Sequence, residues 1–115
     1  MAISKALRER IIKRDNHQCW HCQEVEAIAL QHRKNRGMGG SKLLDTPENL
    51  IVLCSAMNGL IESDSGAAMQ AKDFGWKLSS WDSFDHPVFN ANTGEWFQLD
   101  AKFGLTKVDA PNYLI

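Results

Sequence analysis

Apolar and polar positions change rhythm several times along the chain, and each rhythm predicts an element. Leu7, Ile11 and Ile12 recur at i, i+4 and i+5, while Arg8, Arg10, Lys13 and Arg14 lie largely off that stripe. This spacing predicts an amphipathic helix from an N-cap at Ser4 to about Arg14, closed by a turn at Asp15-Asn16. Val25 to Leu30 reads as a strand running into Gln31-His32, and the short apolar run Leu50-Ile51-Val52-Leu53 reads as a second strand pairing back on it. Between them, Arg36-Gly37-Met38-Gly39-Gly40-Ser41 is too glycine-rich for regular structure, and Thr46-Pro47-Glu48-Asn49 is a turn. A helix is expected to start near Ser55. A fresh N-cap at Asp64 or Ser65 begins another, which runs to Phe74 with Gly75 as its C′ residue. Pro87–Asn90 and Glu95–Leu99 flank Ala91-Asn92-Thr93-Gly94 as a hairpin. Residues 101–115 show no clear period and are expected to be partly mobile.

Length and composition fix the scale. With 115 residues, 43% of them apolar and 23% charged, the chain is expected to be one folded domain spanning 1–115. Its core would occupy about 11–75, with an aromatic extension over 76–115. No apolar run approaches the ~18 residues of a membrane helix, and the start, Met1-Ala2-Ile3-Ser4-Lys5, lacks the apolar core of a signal peptide. The expected location is cytoplasmic, with no membrane partner. The net charge of −1 is unevenly spread: residues 1–58 hold 9 Lys+Arg against 6 Asp+Glu, residues 59–115 hold 4 against 8. Four basic residues and no acidic one lie in the stretch from His32 to Lys42, a local patch able to steer a polyanion. The aromatics of the extension, Trp76, Trp81, Phe84, Phe89, Trp96 and Phe97, read chiefly as core, with base stacking as the sharper alternative.

Three cysteines disfavour a disulfide framework. Cys19-Trp20-His21-Cys22 has the spacing of a zinc knuckle, but it supplies two of four ligands. Cys54 is a third candidate. The natural fourth position is occupied by Met57, whose thioether is a poor zinc ligand; His17 or His21 could substitute. On the sequence alone, buried free thiols are preferred to a structural zinc at Cys19, Cys22 and Cys54.

The candidate chemistry lies between Gln31 and Glu62. A hairpin followed by a helix lets its two halves face each other, and Asn58 and Glu62, one helical turn apart, share a face. Phosphodiester hydrolysis needs a base to deprotonate water, a cation to stabilise phosphate charge, and positive groups to hold the backbone. His32 suits the first role. Oxygen donors from Asn58 and Glu62 suit Mg²⁺ or Mn²⁺. Arg33, Lys34, Arg36 and Lys42 suit the third.

Taken together, Arg14-Asp15 before Cys19-x-x-Cys22, then Gln31-His32-Arg33, Gly39-Gly40, Pro47-Glu48-Asn49-Leu50, Leu53-Cys54 and Asn58-Gly59-x-x-Glu62, resemble the HNH endonuclease family. The likeness runs from about Ile11 to Glu62, and the remainder looks like the extension of small phage-encoded members. The resemblance implies an α+β fold with a ββα-metal (His-Me finger) core, an N-terminal helix, and a C-terminal helix plus hairpin. It implies a metal-dependent nuclease that cuts or nicks DNA to leave 5′-phosphate and 3′-hydroxyl ends, with phage packaging or replication proteins as partners and the host cytoplasm as location. His32 would be the general base, Asn49 the residue that holds the loop and orients it, and Asn58 a metal ligand, with Glu62 where some members place another. Gln31 stands where a metal-binding His or Asp is usual. A DNA-binding module with a weakened site is the alternative.

Overall fold

The computed structural model describes residues 3–35 and 42–112, with the side chain of Lys42 excepted; the Gly39-Gly40 turn and Arg36 lie outside the described residues. Among these, helices and two small antiparallel sheets make an α+β fold in the order α1 (Lys5–Arg14), β1 (Ile28–His32), β2 (Leu50–Cys54), α2 (Ser55–Ser63), α3 (Ser65–Asp73), β3 (Val88–Asn90), β4 (Glu95–Leu99) and β5 (Leu105–Val108). No described helix is long and apolar enough to cross a membrane.

Local signals set most boundaries. The Ser4 hydroxyl accepts from Leu7 N, and the Asp64 carboxylate accepts from Ala67 N, each satisfying an orphan N–H of a first turn. Gly75 follows α3 at φ +74°, and a Cβ there would lie 2.0 Å from the Pro87 carbonyl oxygen. Both the left-handed backbone and the close approach of the 87–88 chain require glycine. Two expectations change. The first strand begins at Ile28 rather than Val25, which is 53% exposed. Part of the supposedly mobile tail is strand β5, whose Leu105 pairs with Leu99 and whose Val108 pairs with Trp96. Its side chains are mostly exposed, so no apolar alternation marked it.

All five residues of β2 are buried. Successive side chains of a strand point to opposite faces. Leu50 and Val52 accordingly join Ile11 of α1, with Leu7, Leu30 and Phe103 against them, while Ile51 and Leu53 join Met57, Ile61, Ala71, Trp76, Val88 and Leu99. A buried ion pair ties α1 to this strand. Arg14 Nε donates to Asp15 Oδ1 at 2.7 Å, Arg14 also donates to the Pro47 and Leu50 carbonyls, and Asp15 Oδ2 accepts from Val52 N at 2.9 Å.

Arg33, just past β1, is a correction. The sequence groups it with the phosphate-binding residues, but its relative exposure is 0%. Its guanidinium donates to the main-chain carbonyls of Gly75 (2.8 Å), Glu48 (2.9 Å), Phe84 and His86. Its own carbonyl accepts from Leu78 N at 2.6 Å. Its role is to fasten the 75–86 chain to the end of the hairpin, and DNA cannot reach it. Removing it would strand several buried acceptors, at about 1–3 kcal/mol each. We expect Arg33→Ala to lower unfolding free energy by about 3 kcal/mol or more, and Arg33→Lys to recover little, because a lysine lacks the planar fork. Urea unfolding checks this; a change within about 0.5 kcal/mol, typical of a surface residue, would contradict it.

Candidate functional site

Among the described residues, chemistry-bearing side chains gather at both ends of the β1–β2 hairpin. At the end where β1 leaves the sheet, His32 is opposite Leu50, and its Nε2 lies 2.8 Å from Oδ1 of Asp45. Both side chains are largely shielded, at 19% and 12% exposure. Asp45 was missed by sequence reasoning. It lies 13 positions from His32, between two short 3-10 turns at Lys42–Leu44 and Pro47–Asn49, and no spacing rule points to it. An ionised carboxylate can only accept, so His32 donates Nε2–H and Nδ1 is the basic nitrogen.

Asn49 is fully buried behind this pair. Its Oδ1 accepts from Lys34 N at 2.7 Å, and its Nδ2 donates to the carbonyls of Lys34 (3.1 Å) and Leu44 (2.8 Å). One amide side chain thus ties the segment after His32 to the segment before Asp45.

Gln31 is buried on the opposite face of β1. Its Nε2 donates to the Trp76 carbonyl, which fixes the amide and turns Oε1 toward α2, where Asn58 Nδ2 donates to it at 2.9 Å. Glu62, one turn further along α2, is exposed. Oxygen donors of this kind are what hard cations take, but two are neutral amides already bonded to each other, and the described contacts link only Gln31 and Asn58. Of the expected DNA-contacting residues, Lys34 is half-buried with its Nζ 4.3 Å from the centre of the Phe84 ring. Arg36 and the Lys42 side chain lie outside the described residues.

The second cluster is at the other end of the hairpin. Cys19, His21, Cys22 and Cys54 each bring one ligand atom to within 4.8 Å of the others, an arrangement that could hold a metal ion. His21, not His17, completes the set; His17 is exposed. Met57, at the position where a fourth cysteine would be expected, is instead buried core. Main-chain N–H groups point at two of the sulfurs, His21 N at Cys19 Sγ (3.2 Å) and Met57 N at Cys54 Sγ (3.3 Å). His21 Nδ1 is buried with no hydrogen-bond partner, a costly state for a polar atom unless something ligates it. Burial pushes the Cys19 thiol up to about 12, against the opposing pull of the Cys22, Cys54 and His21 backbones. A bound cation would relieve both features by binding the nitrogen and stabilising the thiolate. The three cysteines are free, Cys19 and Cys54 buried as expected, and with His21 they make a set that could hold a metal.

The segment carrying this cluster also joins the two sheets. Trp20 N donates to Val52 O, Ala91 N donates to Trp20 O, and Asn92 Nδ2 donates to Cys19 O at 2.8 Å. Compared with models of protein families, with curated proteins and with solved structures, the chain matches none.

We expect the purified chain to carry one equivalent of divalent metal by elemental analysis. Stripping it should lower the thermal midpoint, and His21→Ala should weaken retention. A metal-free preparation whose midpoint is unmoved by added metal or chelator would leave the cluster as thiols alone.

Proposed function

We propose that the chain is a metal-dependent endonuclease of the HNH type, hydrolysing or nicking the phosphodiester backbone of DNA. The His32–Asp45 pair, braced by buried Asn49, is the observation that carries this reading. The succession β1–β2–α2, an antiparallel hairpin leading directly into a helix, supports it as a ββα-metal arrangement. In this reading Asp45 orients the imidazole through Nε2 and stabilises the imidazolium, and Nδ1 takes the proton from the attacking water. Asn49 keeps the two halves of the pair in place. Lys34 remains the described candidate for backbone phosphate, while Arg33 holds the scaffold.

A divalent cation, Mg²⁺ or Mn²⁺, would be held by Asn58, Glu62 and Gln31 and would stabilise charge on the scissile phosphate. The Cys₃His cluster is assigned to zinc in a structural role, since thiolates and imidazole in a set of four suit that ion. The Gln31–Asn58 hydrogen bond favours a second reading, a DNA-binding module of the same fold whose hydrolytic site is weakened.

Plasmid nicking across Mg²⁺, Mn²⁺, Ni²⁺ and Zn²⁺ separates the two. We expect His32→Ala to lose about 10²–10⁴-fold in rate with unchanged circular dichroism and DNA affinity; a variant retaining more than about a tenth of the rate would remove His32 as the base. Calorimetric titration tests the cation site independently. Gln31→Asp should tighten divalent binding by adding a carboxylate, and Glu62→Gln should loosen it. Equal affinity in Glu62→Gln and the parent would exclude Glu62 as a ligand.

A further inference from the structure

A groove of about 440 Å³ opens beside the His32–Asp45 pair, bounded by Lys34, Leu44, Lys72, Lys77, Trp81 and Phe84 among others. The size is that of a small-ligand site. Three lysines line it, and no acidic residue is among the described residues that do. Trp81 is 84% exposed, whereas Trp20, Trp76 and Trp96 are at most 7% exposed. Two hydrogen bonds tie down the loop that presents it: Asp82 Oδ2 accepts from Ser79 N at 2.7 Å, and Arg33 donates to the Phe84 carbonyl at 3.4 Å. His32, Asp45 and Asn49 do not themselves line it, but Asn49 ties together the main chains of Lys34 and Leu44, two of its walls.

We propose that this groove holds an unpaired nucleotide of a single-stranded nucleic acid, its base stacked on Trp81 and its phosphates on Lys34, Lys72 and Lys77. The inference rests on reading the His32 site as a phosphodiesterase, for which it names the substrate form. Only a base out of its duplex offers a face to an indole, and flanking lysines supply the backbone contacts that accompany such stacking. Strand ends, flaps or locally melted DNA would then be preferred over intact duplex.

The test uses the full-length His32→Ala chain without added divalent ion. Its probes are labelled oligothymidylate and oligouridylate of about a dozen nucleotides, and an oligothymidylate–oligoadenylate duplex of the same length. We expect both single strands to quench tryptophan emission. Trp81→Ala should weaken single-strand binding about 5- to 100-fold, Trp81→Phe should recover most of it, and duplex binding should change less than about twofold. Replacing the three lysines by alanine should flatten the log–log salt slope by about 0.7 per phosphate contact. Binding of either strand through Trp81 upholds the inference, and the tighter one identifies the sugar. Single-strand affinity unchanged in Trp81→Ala, or an equal loss for strand and duplex, overturns it. Nicking by the unaltered chain with no Trp81 effect on binding would sink the groove and spare the nuclease; Trp81-dependent binding by a chain that never nicks would do the reverse.

Discussion

The buried guanidinium of Arg33 is the contact on which the rest of this structure depends. Four main-chain carbonyls, from Glu48, Gly75, Phe84 and His86, converge on it. Carbonyl dipoles aimed at one point repel one another unless a cation sits among them, and a planar fork with five donors answers that arrangement better than an ammonium. The acceptors belong to the turn before β2 and to the long loop between α3 and β3. One side chain thereby gathers distant parts of the chain around the end of β1. His32 and Lys34 flank Arg33 in sequence, so the proposed catalytic base and a groove wall are positioned by the same anchor.

Much of the fold was legible because its causes are local. Helical spacing around Ile11, the caps at Ser4 and Asp64, the Gly75 terminator and the turn at Asn92-Thr93-Gly94 each act within a few residues. Of the candidate sites, the sequence singled out His32, Asn49, Asn58 and the Cys19–Cys22 pair, and the last of these joins a metal-capable set. What sequence could not show depends on contacts far along the chain. Asp45 meets His32 across 13 positions, beside the point where Asn49 bonds to both Lys34 and Leu44. Arg33 sits in a basic run, and nothing in that run distinguishes the arginine that goes inside from the lysine beside it. Trp76, Trp81 and Trp96 look alike in sequence, yet two are buried and one is displayed. Strand β5 has no pattern of its own and is defined by its partner β4.

The sulfur cluster and the Gln31–Asn58 amide pair share a frame. Cys54 ends β2 and its sulfur caps the first turn of α2, which carries Asn58. Soft sulfur donors are thus gathered where β2 meets the knuckle. If, as proposed, Gln31, Asn58 and Glu62 take a hard cation, ligand softness alone would sort the two ions.

Strand β2 has one more consequence. A strand with one wet face is locked in place by its pattern, since sliding it by one residue would put every apolar side chain in water. With Leu50 and Val52 in one core and Ile51 and Leu53 in the other, β2 has no wet face, and a slipped pairing would still bury apolar groups on both sides. The alignment that brings His32 opposite Leu50, next to Asn49, must therefore be specified by directional contacts. The Asp15 carboxylate on Val52 N, the Arg14 guanidinium on Leu50 O and the Trp20 amide on Val52 O each recognise a single position along the strand. The Arg14–Asp15 pair at the end of α1 and the cysteine knuckle thus act as a ruler for the hairpin, and the placement of the imidazole is read off from them.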